Sequence, residues 1–222
     1  MAVLRGRPFL EWQLISLREA GLKDILLCTG YMARNIREYF GGGKQLGLRI
    51  TYSDEPEPRG TGGALRSALS NIQTDPVLVL NGDSWCNVDI ASLVDFHVTC
   101  KAIGTLALTV VANPERYGQV RLGKNAEIVD FVEKSQSCVT GWINAGLYVL
   151  SRSVLSRIPE NACLSLEHDI FPQLVHNGLY GYWGEHQFFD IGTPTSYAQA
   201  EQEFEHVFHG VQDDHGVMGM MV

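Results

Sequence analysis

Residues 77–83 read Val-Leu-Val-Leu-Asn-Gly-Asp, four apolar residues that give way abruptly to a carboxylate. A short apolar run behind the turn signal Asp75-Pro76 suits a parallel strand covered on both faces. In open α/β sheets ligands sit beyond the carboxyl ends of such strands. Gly82 lets a backbone or ligand come close, and Asp83 presents the hard oxygen ligands that suit a magnesium ion holding phosphates. Asn81, Gly82 and Asp83 would equally make a plain turn.

The chain on either side supports a sheet around this strand. Pro8 stands where a helix can begin without losing a hydrogen bond, and Phe9, Trp12, Leu17 and Ala20 continue a helical apolar stripe that Gly21 stops. Asp24–Gly30 reads as a short strand, Met32–Phe40 as a helix ended by Gly41, Gly42 and Gly43, and Leu48–Ser53 as a strand. Thr61 can cap a helix carrying Ala64, Leu65, Ala68 and Leu69, which leads into the strand at 77–83. Strand, helix, strand, helix, strand is the rhythm of a doubly wound sheet. Beyond Asp83 a helix over 91–99 is followed by strands over 105–111, 119–122 and 127–134, a succession that favours antiparallel pairing added to a parallel core. A strand over 142–150, helices over 154–158 and 166–175, a strand over 179–183 and a helix over 195–208 complete the pattern. It predicts one domain over residues 1–208 and a disordered tail over 209–222.

Composition narrows the function. The 222 residues carry 17 Lys and Arg against 25 Asp and Glu, a formal net charge of −8. No basic stripe appears, which argues against nucleic acid as a partner. No stretch approaches the roughly 18 apolar residues of a membrane span, and no secretory signal opens the chain. The five cysteines lack ligand spacing and are odd in number. A reduced, cytoplasmic setting is the simplest reading.

Four polar constellations end or interrupt apolar strands. Residues 58–64, Pro-Arg-Gly-Thr-Gly-Gly-Ala, open a helix, where glycines let N–H groups approach a planar base or a phosphate; a capped turn is the plainer reading. Asp83 is the second. In the third, Glu133 and Lys134 stand together at a strand end, either as an exposed hairpin pair or with Glu133 on sugar hydroxyls and Lys134 on a phosphate. In the fourth, Asn144 and Gly146 interrupt a strand, marking a bulge or a close ligand approach, and Asp190 precedes the last helix as a second metal carboxylate or as a cap. His97, His168 and His176 sit at helical positions and form no zinc pair.

In this order Gly60-Thr61-Gly62-Gly63-Ala64, Asn81-Gly82-Asp83, Phe131–Lys134, Asn144-Ala145-Gly146 and Asp190–Pro194 resemble the sugar-1-phosphate nucleotidyltransferases over Arg5–Ala200. The run from Arg5 to Gly30 and Trp142-Ile143-Asn144 look most like the D-glycero-D-manno-heptose 1-phosphate guanylyltransferase branch. The resemblance implies an α/β fold with a Rossmann-like mixed sheet of the nucleotide-diphospho-sugar transferase type. It also implies an enzyme that joins a nucleoside triphosphate, GTP in this branch, to a heptose or hexose 1-phosphate, with Mg2+ as cofactor and release of pyrophosphate. Asp83 and Asp190 would hold the metal and, with Lys134, form the catalytic set. Gly60, Thr61 and Gly62 would line the nucleobase, with Asn81, Gly82, Glu133, Asn144 and Gly146 around the substrates. Family members also begin with a strand and a Gly-rich loop that bring a triphosphate nest, an arginine and a lysine. This chain starts just after the place where those end, so the resemblance implies an N-terminally truncated member without that strand, between the strands at Ile25 and Leu78. Members of the family often form homo-oligomers. Two other readings stay open: a non-catalytic protein that binds nucleotide sugars or regulates a full-length partner, and a choline-phosphate type transferase with Trp85, Trp142 and Trp183 caging an ammonium.

Overall fold

In the computed structural model, residues 1–132 and 141–207 are described. The chain opens with β1 (Val3–Leu4), β2 (Arg7–Pro8), α1 (Phe9–Glu19), β3 (Asp24–Thr29), α2 (Ala33–Phe40), β4 (Arg49–Asp54) and α3 (Gly60–Ala68). It continues through β5 (Val77–Leu80), β6 (Ser84–Cys86), α4 (Ile90–Thr99), β7 (Gly104–Val110), β8 (Gln119–Leu122), β9 (Ile128–Val132) and β10 (Trp142–Leu150). It ends with α5 (Arg152–Arg157), a π-helical turn (Leu166–Ile170) running into α6 (Phe171–Leu174), β11 (Leu179–Trp183), β12 (Phe188–Asp190) and α7 (Pro194–Val207).

The mixed α/β architecture agrees with the expectation, and β10 is its axis. Every residue of β10 after Trp142 is buried, because successive side chains enter two different cores. Tyr148 and Leu150 join Leu106, Leu108, Val120, Leu155 and Phe171 on one face, beneath α3, α5 and α6. Ala145, Leu147 and Val149 join Ala107, Val88 and Leu93 of α4 on the other. Each fully buried Leu or Val contributes about 1.5–3 kcal/mol, so a strand covered on both faces concentrates the stability here.

The six-stranded sheet runs β11-β7-β10-β8-β9, with β5 also on β10. β11 is parallel to β7, while β5, β7 and β8 are antiparallel to β10. This corrects the reading of residues 77–83 as a parallel strand: β5 stops at Leu80 and pairs antiparallel with β10, Leu80 opposite Leu147. It is also only half covered, with Val77 buried and Leu78, Val79 and Leu80 partly exposed. β3 and β4 form a separate parallel pair, and no backbone hydrogen bond joins β3 to β5 among the described residues. The place expected between the strands at Ile25 and Leu78 thus divides two sheets, which α1 and α3 bridge. Leu10 and Leu14 of α1 pack on Ile25 and Leu27, and its Gln13 Nε2 donates to Asn81 O (2.8 Å) and Ser84 O (2.6 Å) beyond β5.

The described cysteines Cys28, Cys86, Cys100 and Cys163 are free thiols. Among the described residues no helix is long and apolar enough to cross a membrane.

Candidate functional site

The loop after β5 delivers Asp83, and the short pair β6–β12 brings Asp190 to it. Asp190 lies opposite Ser84, and the Ile191 N–H donates to Asp83 O at 2.8 Å. A Cβ on Gly192 would sit 3.4 Å from Asp190 Oδ1 and 3.5 Å from Asp83 Oδ2, ordinary contact distances, so both carboxylates border the space beside Gly192. Asp83 is exposed and Asp190 is 8% exposed.

Asp190 is held from several sides. Its Oδ1 accepts from Ser196 Oγ (2.7 Å), from the Gly192 N–H (3.0 Å) and from Arg116 Nη2 (3.4 Å), and its Oδ2 accepts from the Tyr117 hydroxyl. Burial pushes the Asp190 carboxyl up, but the bonds from Tyr117, Ser196 and the Gly192 N–H, with the Arg116 charge, outweigh it and leave the group below the ordinary carboxylate range. Burial, followed by the Asp190 carboxylate, drives the Tyr117 phenol far up, so it stays a donor. Among the described residues no group of three His, Cys, Asp or Glu could hold a metal. A pair of hard carboxylates beside open space fits a divalent cation such as magnesium, which keeps waters and takes phosphate oxygens as its other ligands.

Beside the carboxylates lies a buried network around Tyr148. Its hydroxyl donates to Glu167 Oε1 (3.0 Å) and accepts from Asn144 Nδ2 (2.9 Å) and, at a long 3.4 Å, from Asn81 Nδ2. Glu167 Oε2 in turn accepts from Thr61 Oγ1 (2.8 Å) and Ser165 Oγ (2.7 Å). Asn144 is 8% exposed and its Oδ1 takes the Gly146 N–H at 3.1 Å, so the side chain spends a bond at each end on the protein and retains one N–H and one lone pair. Gly146 forms the bulge read from the sequence: β10 shifts register between Asn144 and Tyr148, and Gly146 has φ +72°. A Cβ there would lie 2.3 Å from Ser84 Oγ.

The glycine loop opening α3 differs from expectation. Thr61 lies inside α3, and its hydroxyl accepts the Leu166 N–H (2.8 Å) of a neighbouring segment instead of capping its own helix. The N–H groups of Gly62 and Gly63 donate to Leu164 O (2.8 and 3.2 Å), so these two are not available as an anion nest. A Cβ on Gly60 or Gly63 would approach Leu164 O or Ala162 O to 2.6 or 2.4 Å. Here the missing Cβ serves close packing of the loop on residues 162–164.

The structure therefore brings together Asp83 with Asp190, and Asn81 with Asn144, Gly146 and, through Tyr148 and Glu167, Thr61, while Gly82 is exposed in the loop between Asn81 and Asp83. Glu133 and Lys134 lie outside the described residues, as does the tail 209–222. The tryptophan cage does not assemble: Trp142 and Trp183 rings are 5.4 Å apart, but Trp85 stacks on Phe189 at 5.0 Å in another core and donates to Ser16 Oγ. His97 is buried against Thr105 Oγ1 (2.9 Å), a packing role. A cleft of about 470 Å³ between α1, the start of α4 and β10 includes Leu80 and Ser84 in its wall but neither carboxylate. Arg116, Tyr117, Tyr148, Glu167 and Ser196 were not singled out by the sequence reading. For Arg116 and Tyr117 the one signal was Pro-Glu-Arg-Tyr-Gly at 114–118, a charged and aromatic interruption between strands.

The chain matches the Nucleotidyl transferase family over residues 1–207. It is 36% identical over 201 residues to a mannose-1-phosphate guanylyltransferase of Mycobacterium tuberculosis, covering 89% of this chain and 56% of that protein. It is 33% identical over 207 residues to a D-glycero-alpha-D-manno-heptose 1-phosphate guanylyltransferase of Aneurinibacillus thermoaerophilus, covering 93% of this chain and 89% of that one. This chain thus spans little more than half of the mannose relative and most of the heptose relative. Among solved structures, HddC from Yersinia pseudotuberculosis superposes with a TM-score of 0.82 at 27% identity, covering 92% of this chain and 88% of that chain. HddC complexed with GMP-PN superposes with a TM-score of 0.81 at 28% identity and the same coverage.

Proposed function

The chain belongs to the nucleotidyl transferase family, and from that premise we propose that it joins GTP to a sugar 1-phosphate, a heptose or mannose derivative, giving a GDP-sugar and pyrophosphate. The observation that carries the reading is the meeting of Asp83 and Asp190 across the Gly192 space. Relatives named for mannose and heptose 1-phosphate guanylyl transfer, and a solved neighbour holding GMP-PN, support guanosine as the base.

In this reaction an oxygen of the sugar phosphate attacks the α-phosphorus of the triphosphate and pyrophosphate departs, so no protein nucleophile is needed. The protein's share is alignment and charge. Asp83 and Asp190 are the residues that would hold magnesium, whose chemistry when bound is to neutralise phosphate charge as it shifts to the leaving group. Ser196, the Gly192 N–H and Tyr117 fix the Asp190 carboxylate in one orientation. Tyr148 fixes the Asn144 amide, whose remaining N–H and lone pair suit a sugar hydroxyl, while the glycine at 146 lets β10 close on Ser84 and Asn81, and its backbone would lie beneath the sugar. Gly60, Thr61 and Gly62 would flank the base by their flat backbone rather than by N–H donors. Glu133 and Lys134 complete the proposal at the sugar and its phosphate. Free cysteines and nucleotide substrates suit the cytoplasm.

A pyrophosphate-release assay with GTP, Mg2+ and mannose or heptose 1-phosphate tests this. Release that depends on both substrates is the expected outcome. If no release occurs, yet calorimetry shows GDP-mannose bound, the reading as a non-catalytic binder replaces it; a folded protein that binds neither substrate nor product removes both.

A further inference from the structure

Asp190, one of the two carboxylates that border the Gly192 space, has a cation beside it. Arg116, on the segment between β7 and β8, places Nη2 3.4 Å from Asp190 Oδ1, 3.2 Å from Thr193 Oγ1 and 3.4 Å from Ser196 Oγ. The guanidinium also lies 5.5 Å over the Tyr117 ring, and the arginine side chain is 40% exposed. The contact to Asp190 is single and long, unlike the paired 2.5 Å bonds between Arg49 and Asp24 on the surface. It carries charge but little directional bonding, so a competitor can displace it.

We propose that Arg116 is the resident counter-ion of Asp190, holding the carboxylate of the cation site while it is empty, and that a divalent cation must displace it to bind. Arg116 is thus a positioning residue that sets metal affinity; the inference rests on the reading of Asp83 and Asp190 as the cation site. It also links that site to the sugar side. The carbonyl of Gly118, two residues on, accepts the Asn144 N–H at 2.8 Å, so the segment that yields to the cation is the one on which Asn144 hangs.

Removing the positive charge should tighten cation binding, an effect opposite in sign to damage. The test is titration of the chain with Mn2+ in the absence of nucleotide, following the free-ion signal by electron paramagnetic resonance. Arg116→Gln is expected to bind Mn2+ roughly three- to tenfold more tightly than wild type. Arg116→Lys, which keeps the charge, should stay within about twofold, and Asp190→Asn should lose binding. Circular dichroism confirms folding, and Arg116→Met, which keeps the stem over Tyr117, reads the same quantity if the glutamine variant does not fold. Equal or weaker binding by the neutral variants, with Asp190→Asn still losing the ion, overturns the inference alone. Wild-type affinity in Asp190→Asn, or no Mn2+ bound by wild type, removes the cation site and the inference with it.

Discussion

Asp83 and His97 show how differently two titratable side chains serve this molecule. Asp83 is exposed, and its carbonyl takes the Ile191 N–H. Asp83→Ala should therefore change stability by less than about 0.5 kcal/mol while lowering kcat/KM for GDP-sugar synthesis by roughly 10²–10³. A thermal melt beside the pyrophosphate assay reads both; equal turnover in the variant would remove Asp83 from the site. His97 is buried on α4 against Thr105, and burial lowers its pKa from 6.5, against a smaller upward pull from Asp75. The native state resists the proton that the unfolded chain accepts below about pH 6.5. The stability His97 contributes is therefore full above that value and is lost as pH falls through it. The urea midpoint should drop from pH 7.5 to 5.5, and His97→Gln should shrink that drop to what remains from His186, whose pKa is lowered in the same direction by its own burial. An identical pH profile in the variant would refute the assignment.

At the scale of elements, most of the helices and strands were legible because their apolar periods are strong. β10 reads as an apolar run broken at Asn144 and Gly146, and the break is the bulge observed. Pairing was less legible: an apolar strand does not encode whether its neighbour runs parallel, and β5 lies antiparallel on β10 instead of in a parallel core. The glycines that open α3 announced a close approach, but to residues 162–164, whose position is set by the tertiary fold. Asp83, Asp190 and Asn144 were visible as polar residues ending or interrupting apolar strands. Tyr148 was not, since a tyrosine inside a buried strand reads as packing. Yet Tyr148 ties β10 to the π-helical turn through Glu167 and to the end of β5 through Asn81. Tyr148→Phe keeps the ring against Phe171 and removes only the hydroxyl. It should cost about 1–3 kcal/mol, because buried partners lose a bond that water cannot replace. It should also raise KM for the sugar phosphate more than it lowers kcat, since the Asn144 amide loses its anchor. A denaturant series with steady-state kinetics checks this; an unchanged midpoint would show that the network is satisfied without the hydroxyl.

Across the whole molecule the division between the two sheets has an energetic consequence. The six-stranded sheet buries both faces of β7 and β10, whereas among the described residues β3 and β4 pair only with each other, and Ile25, Leu26 and Leu27 are only partly covered. An isolated two-stranded sheet is marginal in water, so this pair depends on α1, α2 and α3 for its stability. It should open in a separate, cheaper step than global unfolding. Hydrogen exchange should find the amides of Arg49–Asp54 at least about tenfold less protected than those of β10, a gap of ~1.4 kcal/mol or more. Because the first turn of α3, at Gly60–Gly62, is joined to β4 by only residues 55–59, a guanosine ligand seated there would bind only the closed form and would stabilise it by mass action. GDP-mannose at a hundredfold excess over its Kd should therefore raise protection across β4 and α3 by up to ~2.7 kcal/mol while leaving β10, already limited by global unfolding, with a smaller relative gain. Uniform protection without ligand would mean that the two sheets open together; unequal protection that GDP-mannose leaves unchanged would place the base away from the Gly60–Gly62 loop.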